Sequence, residues 1–419
     1  MRQPRFLREN MEKKKKTKKP TKWMKFRHRV VRNVGYVFMY PFSKLKYNMT
    51  IDKFKEQEKR PYLILMNHTT PWDQFFLGMA FKGPVYYMAT EDIFSIGWIS
   101  KLLRWAVAPI PIKKQTVDLN AVMTCMRLAR EGGTIAIAPE GNRSYSGTTE
   151  YMNPSIAGMA RKLKMPIVLY RIEGGYGSQP RWSDGVRKGK VHCYVARVIP
   201  PEEYDKLTND ELYEIIKEGL YVNEAVAEGP FRSKKKAEYL ERAIYVCPEC
   251  GLSEWESHGD EAHCKTCGLT IRYGEDKTIT GVNCDFPFRF VKEWYEYQKD
   301  YVNQLDVMQY LRTPMYTDRA DWSEVIVYSH KEKRRKNVEM KLYGDRVVLE
   351  EGTEHELVMP CDKINAMSVL GRNKLNIYFE KQVYQFKGSP RFNALKYVNL
   401  YHRYKNMVKG DEDGKFLGL

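Results

Sequence analysis

The sequence predicts an α/β fold, a mixed sheet with flanking helices, followed by a small cysteine-knuckle unit and a β-rich C-terminal unit. Three observations predict it. Strand-like and helix-like runs alternate through the first half of the 419 residues. Two Cys-x2-Cys pairs, Cys247/Cys250 and Cys264/Cys267, then follow with 13 residues between them. From Ser323 onward, seven short strand-like runs are separated by turn signals such as Gly344-Asp345 and Glu351-Gly352.

In order, the chain opens on a basic arm. Residues 1–60 hold 20 Lys+Arg and 5 Asp+Glu, a net of +15 out of a total of +18. Six lysines crowd into Lys13–Lys19, so residues 1–21 read as a disordered basic arm. On a helix from Lys22 to Tyr40, Trp23, Phe26, Val30, Val34 and Val37 share one face. Lys22, Lys25, Arg29 and Arg32 share the other, with Arg27 the exception. A basic amphipathic helix with Trp and Phe on its apolar side suits a membrane interface. A helix packed on its own domain would carry a similar pattern. No run of 18 uncharged apolar residues occurs, and the N-terminus lacks a secretory apolar core. The expectation is a peripheral protein on the cytoplasmic face of the cell membrane, in contact with anionic membrane lipids.

The alternation follows. Tyr62–Met66 reads as a buried strand and Asp73–Phe81 as an apolar helix. Val85–Ala89 is strand-like, and Ile96–Val107, with Trp98, Leu102, Leu103 and Trp105, is a helix lining either plain core or an apolar tunnel. Asn120–Arg130 reads as a helix stopped by Gly132-Gly133. Thr134–Ala138, Met165–Leu169 and Lys190–Val195 are further strands, and Asn209–Tyr221 is a late helix.

Two blocks carry chemistry. The first is Asn67-His68-Thr69-Thr70-Pro71-Trp72-Asp73, between a strand and a helix, where sites in α/β sheets lie. Asp73 can accept a hydrogen bond from one imidazole nitrogen of His68 and leave the other as a general base. On spacing alone, a helix-capping Asp beside a solvated His is the commoner origin of such a pair. The second block, Pro139-Glu140-Gly141-Asn142-Arg143-Ser144, follows another buried strand. Gly141 permits a tight turn, Arg143 offers a donor fork suited to phosphate, and Glu140 is an acid able to orient Arg143 or a substrate hydroxyl. Alone, it would pass for a surface loop with an Arg–Glu pair.

His-x4-Asp after one apolar strand and Glu-Gly-x-Arg-Ser after another resembles the PlsC-like glycerolipid acyltransferase family, bacterial type. Two weaker blocks also have counterparts. Ile110-Pro111-Ile112-Lys113-Lys114 stands where the family has an apolar run ending in Asp-Arg, and Met165-Pro166-Ile167-Val168-Leu169 matches the fourth block. Asn142 replaces the usual Thr. The resemblance covers roughly residues 25–225. It implies a glycerolipid acyltransferase-like mixed sheet and an O-acyltransferase of glycerophospholipid biosynthesis or remodelling. His68 would be the general base and Asp73 its orienting acid. Glu140, Gly141, Arg143, Ser144, Lys113 and Lys114 would bind the phosphorylated acceptor. The acceptor would be a lysophospholipid, 1-acylglycerol-3-phosphate first, with glycerol-3-phosphate or another lysophospholipid as alternatives. The donor would be acyl-CoA, acyl carrier protein or an acyl phosphate, and no catalytic cofactor is implied.

Cys247, Cys250, Cys264 and Cys267 have the spacing of a four-thiolate zinc ribbon, with iron the alternative metal. His263 is a competing ligand. A closed shell makes the zinc structural, and the other four cysteines are scattered singly, which fits a reducing compartment. Phe288–Leu305 reads as a connecting helix. The seven later strands and a final helix, Arg391–Met407, resemble a pleckstrin-homology-like (PH-like) barrel. The expected boundaries are 1–21 arm, 22–230 acyltransferase domain with its amphipathic helix, 231–275 linker helix and zinc ribbon, 276–320 helical connector, and 321–419 PH-like barrel with closing helix. A non-catalytic membrane or nucleic-acid binding protein is the rival from another class. Basic charge is nearly absent from the ribbon and barrel, so no nucleic acid is expected.

Overall fold

The computed structural model describes residues 22–56, 60–112, 119–326 and 329–410. The basic arm, Lys113, Lys114, Val327 and Tyr328 lie outside the described residues.

The first region is a seven-stranded sheet. Its strands are β1 Met49–Ile51, β2 Leu63–Met66, β3 Val85–Thr90, β4 Ile110–Ile112, β5 Thr134–Ile137, β6 Ile167–Glu173 and β7 Val191–Ile199, in the order β1-β7-β6-β2-β5-β3-β4. Every neighbouring pair is parallel except β6 with β7, so the sheet is mixed. The longer helices are α1 Phe26–Tyr47, α2 Asp73–Ala80, α3 Trp98–Ala106, α4 Leu119–Arg130, α5 Ser155–Leu163 and α6 Asn209–Leu220. Strand alternation divides the core into two. Leu63 and Leu65 of β2 face one side with residues of α4, α5 and α6, and Ile64 and Met66 face the other with Phe76 and Leu77 of α2. β2 and β5 are buried along their whole length, which is why they read as unbroken apolar runs.

α1 packs by a mixed face, polar near its start and apolar further on, where Met39, Phe42 and Tyr47 meet the core. His28 is buried, with Nδ1 3.0 Å from the Tyr86 hydroxyl, and Arg32 donates to the carbonyls of Gly78 and Phe81. Phe26 (80% exposed), Val30, Val34, Val37 and Phe38 face outward. Trp23 precedes the helix and turns inward, its Nε1 donating to Ala108 O at 3.0 Å. α3 lies beside α1, with Arg27 Nε donating to Trp105 O at 2.8 Å. Trp98 (71% exposed), Ile99, Leu102 and Trp105 are also outward. The apolar stripe of α3 is therefore surface, not plain core. Among the described residues no helix is long and apolar enough to cross a membrane.

The second region begins with a hairpin, β8 Val246–Cys247 and β9 Gly251–Leu252. An antiparallel sheet follows: β10 Trp255–His258, β11 Glu261–Cys264, β12 Thr270–Tyr273 and β13 Ile279–Gly281. Helix α7, Val291–Gln304, docks on the hairpin. Its Trp294 Nε1 donates to Val246 O, and Gln298 Oε1 accepts from the amides of Tyr245 and Val246. Seven antiparallel strands then form a curled sheet: β14 Tyr316–Ile326, β15 His330–Leu342, β16 Arg346–Leu349, β17 Leu357–Pro360, β18 Ile364–Leu370, β19 Lys374–Phe379 and β20 Gln382–Gly388. The order is β17-β16-β15-β14-β20-β19-β18, and helix α8, Leu395–Lys409, packs on β18.

Two differences from the sequence reading stand out. The expected linker helix after residue 231 is not formed; between Leu220 and Val291 the only helix is one short turn, Leu240–Arg242. The cause is Phe231, whose ring sits where side chains on Gly177 and Gly189 would stand, 2.4 and 2.0 Å from their ideal Cβ positions. That plug, with the Lys188–Arg232 bridge, draws the segment out along the first region. The first strand of the curled sheet also starts earlier, at Tyr316, inside the stretch expected to be helical. Its inward residues Tyr316 and Ala320 belong to a core that also holds Tyr145 and Trp182 of the first region.

Candidate active site

The site gathers at the carboxyl ends of β2 and β5, which are neighbours in register. β2 is anchored by the residue before His68. The Asn67 amide pairs both ways with the Ile172 backbone of β6: Nδ2 donates to its O at 2.9 Å, and Oδ1 accepts from its N at 2.8 Å. This fixes the point where β2 ends.

His68 and Asp73 are in direct contact, Nδ1 to Oδ2 at 2.8 Å. Asp73 is fully buried at the first residue of α2. Its carboxylate also accepts from the amides of Thr69 (2.7 Å) and Thr70 (3.0 and 2.9 Å) and from the Thr70 hydroxyl (2.5 Å). Several donors on one carboxylate keep a buried charge satisfied without a cation. An ionised carboxylate only accepts, so in the neutral imidazole this contact places the proton on Nδ1 and leaves the lone pair on Nε2. His68 is about a quarter exposed, its side chain at 24%, so Nε2 is open to a reactant. The capping and catalytic readings of Asp73 are thus not exclusive: one carboxylate ties the loop amides and orients the imidazole.

Glu140 is buried and does not orient Arg143. Its Oε1 accepts from the backbone N–H of His68 at 3.0 Å, and Oε2 from that of Glu150 at 2.9 Å. Burial pushes its carboxyl up to about 8, against the pull of those two donors. It joins the two motif turns by holding His68 from behind. Gly141 adopts φ +68, a left-handed backbone that a side chain would strain. Ser144 is also turned inward: its Oγ accepts from the amides of Ser146 and Gly147 and donates to Glu150 Oε1 at 3.1 Å. Arg143 is the group left over. Its Nη1 is buried and has no hydrogen-bond partner. Burial, then the charges of Arg181 and Arg372, hold its guanidinium down to about 10.

Sequence reasoning missed Asn67, Thr70 and Arg181. Thr70 had a local signal, a hydroxyl three residues before an acid at a helix start. Arg181 had none, because its loop meets the Arg143 turn only through the fold.

The four cysteines of the second region also converge. Their sulfurs all lie within 4.8 Å of one another, with Cys247–Cys267 at 3.7 Å and Cys250–Cys264 at 3.6 Å. A tetrahedron with Zn–S bonds of about 2.3 Å has edges of roughly 3.8 Å, so the separations fit zinc. Each knuckle ends in a left-handed glycine, Gly251 at φ +76 and Gly268 at φ +77, which lets the turn fold its second sulfur back toward the first. His263 alternates to the other face of β11 from Cys264, and it is outside the cluster.

Residues 50–172 match the family model described as Acyltransferase. The chain is 24% identical over 193 residues to the chloroplastic 1-acyl-sn-glycerol-3-phosphate acyltransferase LPAT1 of Arabidopsis thaliana, covering 44% of this chain and 52% of that protein. It is 21% identical over 160 residues to the 1-acyl-sn-glycerol-3-phosphate acyltransferase of Bacillus subtilis, covering 38% and 77%. The crystal structure of the acyltransferase PlsC from Thermotoga maritima aligns with a TM-score of 0.37 at 18% identity, over 46% of this chain and 76% of that one. The chain spans about half the length of the plant relative. The matched stretch runs from β1 into β6 and contains both motif turns, so residues 50–172 of the first region match the Acyltransferase family.

Proposed function

We propose that this chain transfers an acyl group from an activated donor to the hydroxyl of a lysophospholipid, 1-acylglycerol-3-phosphate foremost, giving phosphatidic acid. The observation that carries the reading is the His68–Asp73 pair, with Nδ1 committed to a buried carboxylate and Nε2 open. The acceptor hydroxyl oxygen attacks the carbonyl carbon of the acyl donor while its proton passes to His68 Nε2. With a thioester donor, the C–S bond then breaks and the proton returns from Nε2 to the departing sulfur. Arg143 holds the acceptor phosphate through the nitrogen that has no protein partner. Glu140, Gly141 and Ser144 shape the turn that presents it.

The outward apolar faces of α1 and α3 rest on an anionic membrane, which brings the lysophospholipid to the site. In the second region, Cys247, Cys250, Cys264 and Cys267 hold one structural zinc, closed to water and remote in role from the chemistry.

The test is lipid mass spectrometry on the purified chain. A panel of lysophospholipids and glycerol-3-phosphate is incubated with acyl-CoA, acyl carrier protein and acyl phosphate donors. Phosphatidic acid from 1-acylglycerol-3-phosphate is the expected product. No acylated product from any pair would overturn the reading.

A further inference from the structure

Arg181, in the loop between β6 and β7, is buried and grips the Arg143 turn. Its Nη1 donates to Arg143 O at 3.1 Å and its Nη2 to Asn142 Oδ1 at 3.3 Å. The fork is spent on the turn itself, and the direction in which Arg143 leaves the turn depends on that backbone. Three links carry the grip into the second region. The Arg181 guanidinium lies over the Tyr145 ring, 4.3 Å from its centroid. Tyr145, one residue after Ser144, stacks with Tyr295 of α7, the ring centroids 6.3 Å apart and the planes at 18°. α7 is fixed in turn to the cysteine hairpin: Trp294 Nε1 donates to Val246 O at 2.9 Å, and Gln298 Oε1 accepts from the amides of Tyr245 and Val246 at 2.7 and 3.2 Å. Tyr145, Trp294 and Tyr295 are buried in one core. The Tyr295 hydroxyl is buried without a hydrogen-bond partner, so its ring makes the contact and its oxygen does not.

We propose that Arg181 and Tyr295 are positioning residues for the acceptor phosphate. Through Tyr145 they brace the backbone from which Arg143 points, so the second region sets the geometry of acceptor binding without touching the acceptor. This rests on the acyltransfer reading above and adds what aims its phosphate-binding group. A small displacement of an aimed group costs more binding than the stacking contact that held it.

The alternative is that these contacts only stabilise the junction of the two regions. Variants of the full chain separate the two roles. Tyr295→Phe keeps the ring. Tyr295→Leu keeps an apolar filling and loses the ring face. Val302→Ala opens a cavity on the same buried side of α7, about two turns from the stack. Arg181→Lys keeps the charge but cannot bond both acceptors of the turn. The brace predicts an acceptor KM raised roughly 3- to 10-fold in Tyr295→Leu and roughly 10- to 100-fold in Arg181→Lys. kcat and donor KM stay within about 3-fold. Tyr295→Phe and Val302→Ala leave acceptor KM within about 2-fold, even where Val302→Ala lowers the melting temperature as far as Tyr295→Leu does. An acceptor KM that follows melting temperature across the set, or that stays put in Arg181→Lys, would overturn the proposal. A second arm is independent of turnover: hydrogen–deuterium exchange of residues 139–147. Faster exchange there in Tyr295→Leu and Arg181→Lys, but not in Tyr295→Phe or Val302→Ala, supports the brace even if no lysophospholipid is acylated. Unaltered exchange in Tyr295→Leu and Arg181→Lys, or equally faster exchange in Val302→Ala, counts against it.

Discussion

The two regions of this molecule place their polar groups by opposite means. In the first, the acid and the base that meet are close in sequence, His68 and Asp73 being five positions apart at the end of β2. In the second, order comes from distant partners. Arg391 meets Glu238 across 153 positions and also pairs with Glu241, and the cysteine knuckles close on each other. The first region has a mostly parallel sheet whose central strands are buried on both faces, and it presents chemistry at their carboxyl ends. The second has antiparallel sheets whose core extends under the first, where Tyr145 stacks on Tyr295 with ring centroids 6.3 Å apart. A local constellation can therefore sit on a surface that another region builds.

The comparison can be broken at its metal. Structural zinc contributes on the order of 10 kcal/mol to the folding of small zinc domains. Elemental analysis is expected to find one zinc per chain. Chelation, or Cys264→Ser, is expected to melt the second region early in calorimetry while the parallel sheet keeps its own transition. A metal-free chain with an unchanged melting curve would remove the zinc from the account. Asp73→Asn is the next largest change. It leaves a polar side chain in place but cannot fix the His68 tautomer, so kcat is expected to fall by about 10³–10⁴. A kcat near that of the unaltered chain would make Asp73 a loop tie only.

Arg143→Ala sharpens the comparison, since Arg143 Nη1 is buried without a hydrogen-bond partner. Acceptor KM is expected to rise about 10- to 100-fold with donor KM unchanged; a selective rise in donor KM would move the phosphate site elsewhere. The smallest effect concerns the outward face of the first region. Val34→Glu or Trp98→Glu should weaken sedimentation with anionic vesicles by roughly 3- to 30-fold, for about 1–2 kcal/mol of lost apolar burial. Undiminished binding by both would shift the membrane contact to the second region.

Legibility followed the same divide. The central strands Leu63–Met66, Val85–Thr90, Thr134–Ile137 and Ile167–Glu173 were readable as apolar runs, whereas the edge strand Met49–Ile51 and the helix Ser155–Leu163 were not read, and the first helix runs on to Tyr47 past the expected end at Tyr40. The His68 and Arg143 turns were readable because each follows such a run. Glu140 was identified as a site residue, but its partner was not, since its hydrogen bonds go to backbone amides that no composition marks. The α3 stripe was ambiguous because an apolar face has the same period whether it meets a core or a membrane. The segment after Phe231 carried helix-compatible residues, and a tertiary plug overrode them. Arg181 was invisible, since nothing near it in sequence points to the Arg143 turn that it bonds.

The most direct test of the central claim is the turnover of His68→Ala on the best acceptor and donor of the panel, with its melting curve recorded alongside. The account predicts a kcat lower by about 10²–10⁴ and a melting temperature close to that of the unaltered chain, because Asp73 loses one donor but keeps those of Thr69 and Thr70. Near-unchanged turnover by a folded His68→Ala chain would contradict it.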